Sequence, residues 1–170
     1  ELRSDNEVMF KQLQPLVLLA YLERRKGPQS RLAVANLFWP NLVKEKRLAR
    51  LSEVIRVTDL EAPDVLHRSP EEVGLTPKVG SDAKELYQAI EDEEYDLAAK
   101  LYQGHFLEDL ESNQRLKLAE APALYDWLLG EREALLDVAR DGKLRHAEQR
   151  AAQGQFETAA DLALEAFAMR

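Results

Sequence analysis

Three histidines, many carboxylates and a cluster of cations are the side chains in this sequence that could do chemistry. His67, His105 and His146 are scattered and lack the spacing of metal ligands. His105 falls in a Gly-His-Phe turn, which is a structural setting. Acid pairs such as Asp109/Glu111, or the run Glu91-Asp92-Glu93-Glu94, have the type that acid–base hydrolysis needs. Such use also requires a cleft and displaced pKa values, and in a chain with 31 Asp+Glu these residues read as solvated surface. No Gly-rich phosphate loop and no nucleophile elbow occurs. The chain has no cysteine, which excludes disulfides and thiolate zinc sites. No catalysis, cofactor or metal is therefore expected.

The cations are more informative. Lys44, Lys46, Arg47, Arg50 and Arg56 fall within one short segment. Closely spaced Lys and Arg suit phosphate, because charge dominates the affinity of a protein for a duplex. Apolar residues at Leu48, Leu51, Ile55 and Thr58 keep helical spacing, so one stripe of that segment faces a core. At 100° per residue, Lys46, Arg50 and Arg56 point the other way, together with Glu53. Any amphipathic surface helix also has a charged outer face, so charge by itself does not single out nucleic acid.

The elements around this segment have a recognisable order. Asp5-Asn6, between Leu2-Arg3 and Val8-Met9-Phe10, reads as a hairpin turn. Leu13, Leu16, Val17, Leu19, Ala20 and Tyr21 predict a first helix, ended by Gly27-Pro28. Ser30 is a good N-cap for a short helix from Arg31 to Phe38. Trp39-Pro40-Asn41 forms a turn, with Trp39 as a core anchor, and a third helix runs from about Val43 to Leu60. Two extended pieces follow, Val65 to His67 and Val73 to Leu75, joined by a turn at Ser69-Pro70-Glu71. Hairpin, three helices and hairpin is the order of a winged helix-turn-helix, with the third helix entering the major groove of double-stranded DNA. Its wing would bring His67, Arg68 and Lys78 to phosphate or the minor groove.

Residues 81–170 have a different grammar. Ser81-Asp82 caps a helix through Ile90, and another runs from Leu97 to Tyr102. A long helix is predicted from Ala123 to about Lys143, with Leu124, Trp127, Leu128, Glu131, Leu135 and Val138 at helical spacing. Arg145 to Gln153, a turn at Gly154, and Phe156 to Met169 read as a further helix pair. Ala147, Ala151, Ala159, Ala160, Ala163 and Ala166 let that pair nest closely, as in tetratricopeptide-type repeats. One such unit cannot bury its face alone and must stack on other helices.

The net charge of −8 conceals an asymmetry. Residues 1–80 carry 13 Lys+Arg and 11 Asp+Glu, whereas residues 81–170 carry 10 and 20. Such a split suggests separate roles. The expected division is therefore a DNA-binding domain over 1–80, N-terminally shortened, and a helical domain over 81–170. The longest apolar run, Leu16 to Leu22, is far below the ~18 residues of a membrane span. No secretory signal is visible. A cytoplasmic protein fits, and a start at Glu1 with an end inside a helical pattern reads as a piece of a longer chain.

Several stretches resemble a known family. They are Leu18 to Leu22, Ser30 to Ala33 with Leu37 to Pro40, Leu101-Tyr102-Gln103-Gly104-His105-Phe106-Leu107-Glu108, and Trp127 to Leu135. The helix pair around Ala151 to Ala168 belongs with them. In this order they resemble the antibiotic-regulatory type of bacterial regulators, which join a response-regulator-type winged helix to a bacterial transcriptional activation domain. The resemblance implies a mainly α fold with short β-hairpins and a DNA-binding transcriptional regulator. It implies no enzyme, and as partners double-stranded DNA with RNA polymerase or another regulatory domain or protein. Whether the chain forms a homodimer is left open. Where the family's recognition helix carries Asn-Leu-Arg and regularly spaced arginines, this chain has Arg50-Leu51-Ser52-Glu53-Val54-Ile55-Arg56. The alternative is thus a protein-interaction module whose winged helix does not bind DNA specifically.

Overall fold

The structure is a computed structural model, which describes residues 2–3, 13–25, 27–77, 79–108 and 120–169. It is mainly helical, with seven helices and five short strands among the described residues. The chain forms two compact units. One comprises residues 2–81 with 109–127, the other 82–108 with 128–170. Residues 120–127, part of the 81–170 half in sequence, thus cluster with the first unit.

In the first unit, α1 (Leu13–Glu23), α2 (Arg31–Phe38) and α3 (Lys44–Glu61) precede β3 (Leu66–Arg68) and β4 (Glu72–Leu75). α1 is buried over Val17 to Leu22, a run apolar on nearly every side that suits a central helix. α2 starts where expected, with the Ser30 hydroxyl accepting from the Ala33 amide at 3.5 Å. α3 buries Leu51, Val54, Ile55 and Thr58. Leu48, expected on that stripe, is half-buried, and Val54 joins it instead. The Thr58 hydroxyl donates to the Val54 carbonyl at 2.8 Å, which satisfies this buried polar group. Phe38 lies edge-on to Tyr21 at 6.3 Å and beside Trp39 at 5.5 Å. Trp127 also meets Tyr21 edge-on, at 5.1 Å.

Two small antiparallel sheets complete this unit. β3 and β4 pair in the register Leu66 with Leu75, His67 with Gly74 and Arg68 with Val73. The Ser69 hydroxyl closes their turn by accepting from the amides of Glu71 and Glu72. Strand β2 (Gln29–Ser30), too short for any periodicity to reveal, adds to the other edge of β4. β1 (Leu2–Arg3) pairs with β5 (Gly80–Ser81). The turn expected at Asp5-Asn6 lies outside the described residues.

The second unit contains α4 (Asp82–Glu91), α5 (Tyr95–Leu101), the part of α6 (Pro122–Ala152) from Leu128 onward, and α7 (Phe156–Ala168). Ala83, Leu86, Ala89 and Ile90 of α4, Ala98 of α5, and Leu135 and Ala139 of α6 form its core. Both helix pairs turn in the same way. After α6, the Gly154 amide donates to Ala151 and the Gln155 amide to Arg150, each at 2.9 Å. Gly154 supplies the positive φ of 78° that this Schellman turn requires. After α4, Glu93 donates to Ile90 at 3.2 Å and Glu94 to Ala89 at 2.7 Å, with Glu93 itself at φ 60°.

α6 corrects the sequence expectation. A break near Lys143 was predicted, yet the helix is continuous to Ala152. Gly142, next to the expected break, stands where α4 comes closest. A Cβ there would lie 2.8 Å from Ile90 Cδ1 and 3.0 Å from Ile90 Cγ1. The residue is needed for close approach rather than for a turn. Gly142→Ala should therefore destabilise the protein by about 1–2 kcal/mol, overpacking outweighing the gain in helix propensity. Adding Ile90→Val, which removes Cδ1, should restore most of that loss in urea unfolding. A Gly142→Ala protein more stable than the parent would refute this account of the glycine.

Candidate nucleic-acid interface

Polar side chains tie the turn between α2 and α3 to its surroundings. Arg47 donates through Nε to the Leu42 carbonyl and through Nη1 to Asn36 Oδ1. One half-buried guanidinium therefore ties α3 to α2 and to the intervening turn. Asn41 on the same turn donates to the Glu120 carbonyl at 3.2 Å. Arg31, which sequence reasoning did not single out, ties three elements together. Its Nη2 donates to Ser52 Oγ at 2.7 Å, its Nη1 to the Ser69 carbonyl at 3.3 Å, and its amide to the Glu71 carbonyl at 2.7 Å. Ser52 in turn donates to the Leu48 carbonyl. The N-terminus of α2, the middle of α3 and the β3–β4 turn are thus fixed to one another.

The expected site residues separate into three groups. Lys44, Lys46 and Arg50 are exposed on the first two turns of α3, without a side-chain partner among the described residues. Lys46 and Arg50 are four apart and so neighbours on one face. Val43 precedes them without a side-chain cap, leaving the first amides of α3 free of a protein side chain. Glu45 is the acidic residue of this turn.

A second group of cations is already engaged. Arg56 makes a two-pronged pair with Glu53, at 2.6 and 2.9 Å. The hydrogen bond from Arg56 holds the Glu53 carboxyl below its ordinary pKa, and the same bond raises that of Arg56. Arg68 is paired with Asp59, and Arg47 is committed to the turn. The third group is peripheral. His67 is exposed on β3 opposite Gly74, on a hairpin that also carries the exposed carboxylates Glu71 and Glu72. Lys78 lies outside the described residues. The structure thus brings Lys44, Lys46 and Arg50 together on one exposed end of α3 and takes Arg47, Arg56 and Arg68 out of the pool of free charge.

In the second unit, the two stretches that carried much of the family resemblance meet. Arg132 donates through Nε to the Phe106 carbonyl and through Nη2 to the Leu107 carbonyl, both at 2.8 Å. His105 closes the same turn by accepting from the Glu108 amide at 3.1 Å. His146 is buried against Tyr95 and accepts from Arg150 Nε at 2.9 Å. Burial first, then the nearby Arg150 charge, hold its imidazole below the ordinary pKa, with Asp96 opposing. No group of three potential metal ligands occurs among the described residues. No helix among them is long and apolar enough to cross a membrane.

Compared with protein families, with curated proteins and with solved structures, the chain matches none.

Proposed function

We propose that the protein is a DNA-binding transcriptional regulator of the antibiotic-regulatory type, built from a winged helix-turn-helix and a tetratricopeptide-like activation domain. In this reading α2 and α3 are the helix-turn-helix, and the N-terminal half of α3 enters the major groove. One observation carries the proposal. Lys44, Lys46 and Arg50 on the first two turns of α3 are exposed and have no side-chain partner among the described residues, while Arg47, Arg56 and Arg68 are engaged within the protein. A recognition helix meets base edges with its N-terminal residues, so charge remains where contact is needed. The uncapped first turn adds amides that suit phosphate. Lys44, Lys46 and Arg50 would contact the duplex, His67 and Lys78 would approach it from the wing, and Arg47 would hold the turn. The helical unit would carry the partner-binding role, toward RNA polymerase or another regulatory protein.

A second reading is favoured by the same pairs. Glu53 neutralises Arg56, Asp59 neutralises Arg68, and Glu71 with Glu72 place negative charge at the wing tip. On that reading the winged helix is a packing element of a protein-interaction module. Fluorescence anisotropy with random-sequence duplex DNA over a salt series separates the two. Salt-sensitive binding that depends on Lys46 and Arg50 supports the regulator. Absence of binding at low salt would discard it.

A further inference from the structure

The two hairpins of the helical unit are repeats of one another. Superposed on their Schellman turns, Glu93 corresponds to Gly154, Tyr95 to Phe156, Asp96 to Glu157, Ala98 to Ala159 and Ala99 to Ala160. In the first hairpin two of these positions, Tyr95 and Ala98, are buried. Tyr95 is 9% exposed and stacks on His146 of α6 at 5.5 Å and 23°. Asp96 faces Arg150 of α6, with Oδ2 3.6 Å from Nη2. Ala98 lies in the core with Leu135 and Ala139 of α6.

In the second hairpin Ala159 is buried as Ala98 is, but the aromatic position is bare. Phe156 is 72% exposed, Leu164 68% and Phe167 79%. Phe156, Ala160, Ala163 and Phe167 share one face of α7 at i, i+4, i+7 and i+11. Glu157 and Asp161 flank it, exposed and unpartnered among the described residues. Two bare phenylalanines on one helix face mark a contact surface rather than ordinary scattered exposure.

We propose that this face of α7 docks an amphipathic helix of a partner protein that carries basic residues beside its apolar stripe, as α6 covers α5 within the chain. The repeat supplies the geometry. The flanking carboxylates supply the charge preference, since Glu157 stands where Asp96 meets Arg150. They also disfavour α7 of a second copy, which would set Glu157 and Asp161 against their own kind. The inference sharpens the partner-binding part of the proposed function and rests on it. Its test contains no DNA, so its failure is distinguishable from failure of the DNA reading.

The probe is a synthetic peptide of residues 135–152, the part of α6 that covers α5, held helical by a staple on its solvent side. Titrated into the full chain, it should bind saturably in about the micromolar range and weaken with salt. Phe156→Ser/Phe167→Ser should weaken binding at least about tenfold with an unchanged circular dichroism spectrum, because both rings are exposed. Glu157→Arg should also weaken it about tenfold, and a peptide carrying Arg150→Glu should recover the loss. Equal binding to the parent and to the double Phe variant would overturn the proposal, as would no saturation at millimolar peptide. So would a concentration-dependent dimer of the chain that the Phe variant abolishes, which would make a second copy the occupant.

Discussion

Duplex affinity should fall about thirtyfold in a Lys46→Ala/Arg50→Ala variant, while the urea midpoint stays at the parent value. Both side chains are exposed and have no partner among the described residues, so their removal takes little from the folded state. If each meets one phosphate, about 2 kcal/mol of binding is lost and the slope of log K against log salt shrinks by about two. The pairing of Arg56 makes the opposite change informative. Glu53→Gln removes a carboxylate from the outward face of α3 and releases the Arg56 guanidinium. It should tighten binding by about threefold at low salt and less at high salt. A Lys46/Arg50 variant with unchanged affinity and salt slope would remove α3 from the interface, and the interaction-module reading would then take precedence.

Arg47→Met should behave in the reverse manner. Although it lies between Lys46 and Arg50 in sequence, Arg47 bridges the Leu42 carbonyl and Asn36. Charge-assisted hydrogen bonds contribute about 1.5–3 kcal/mol each when sheltered and less when exposed. Asn36 is exposed, so the bond to it counts for little. The expected cost is about 2 kcal/mol of stability, a fall of roughly 4–8 °C in Tm for a chain of this size. DNA affinity, measured well below that transition, should change by no more than about twofold. Arg47→Lys should recover little, because a single ammonium lacks the planar fork that reaches both acceptors. A stable Arg47→Met protein with weakened DNA binding would exchange the roles of Arg47 and Arg50.

The contrast between these neighbouring arginines marks where sequence reasoning stops. Helix α2 was legible to the residue, because Ser30 caps it and Trp39-Pro40 follows it. The turn at Gly154 was legible because a glycine between alternating helical patterns has few other uses. The partners of cations were not, since they depend on what folding brings alongside. Glu53 and Arg56 are the exception: their i,i+3 spacing on a helix announces a pair. Asp59 with Arg68, and Arg31 with Ser52 and Ser69, join different elements and leave no local trace. The role of Gly142 was not legible for the same reason, because its need for space is set by Ile90 on another helix. The repeat was open to view in Tyr95-Asp96-Leu97-Ala98-Ala99 beside Phe156-Glu157-Thr158-Ala159-Ala160. Glu93 hid it by occupying the left-handed position that Gly154 fills in the second copy.

The two units also differ in the distance along the chain that their contacts must span. In the helical unit, α4 meets α5 and α6 meets α7 across turns of a few residues, so each hairpin closes at little entropic cost. In the other unit, Leu2–Arg3 pairs with Gly80–Ser81, which closes almost the whole of that segment into a loop. Rate follows the separation of contacts, so the hairpins should form first and the β1–β5 pairing last. Pulse-labelled hydrogen exchange would register this as early protection in α4 and α7 and late protection at Arg3 and Ser81. A chain emerging from the ribosome would then hold Leu2–Arg3 without its β5 partner until residue 81 is free to receive it, and that interval is when its edge is most open to a wrong neighbour.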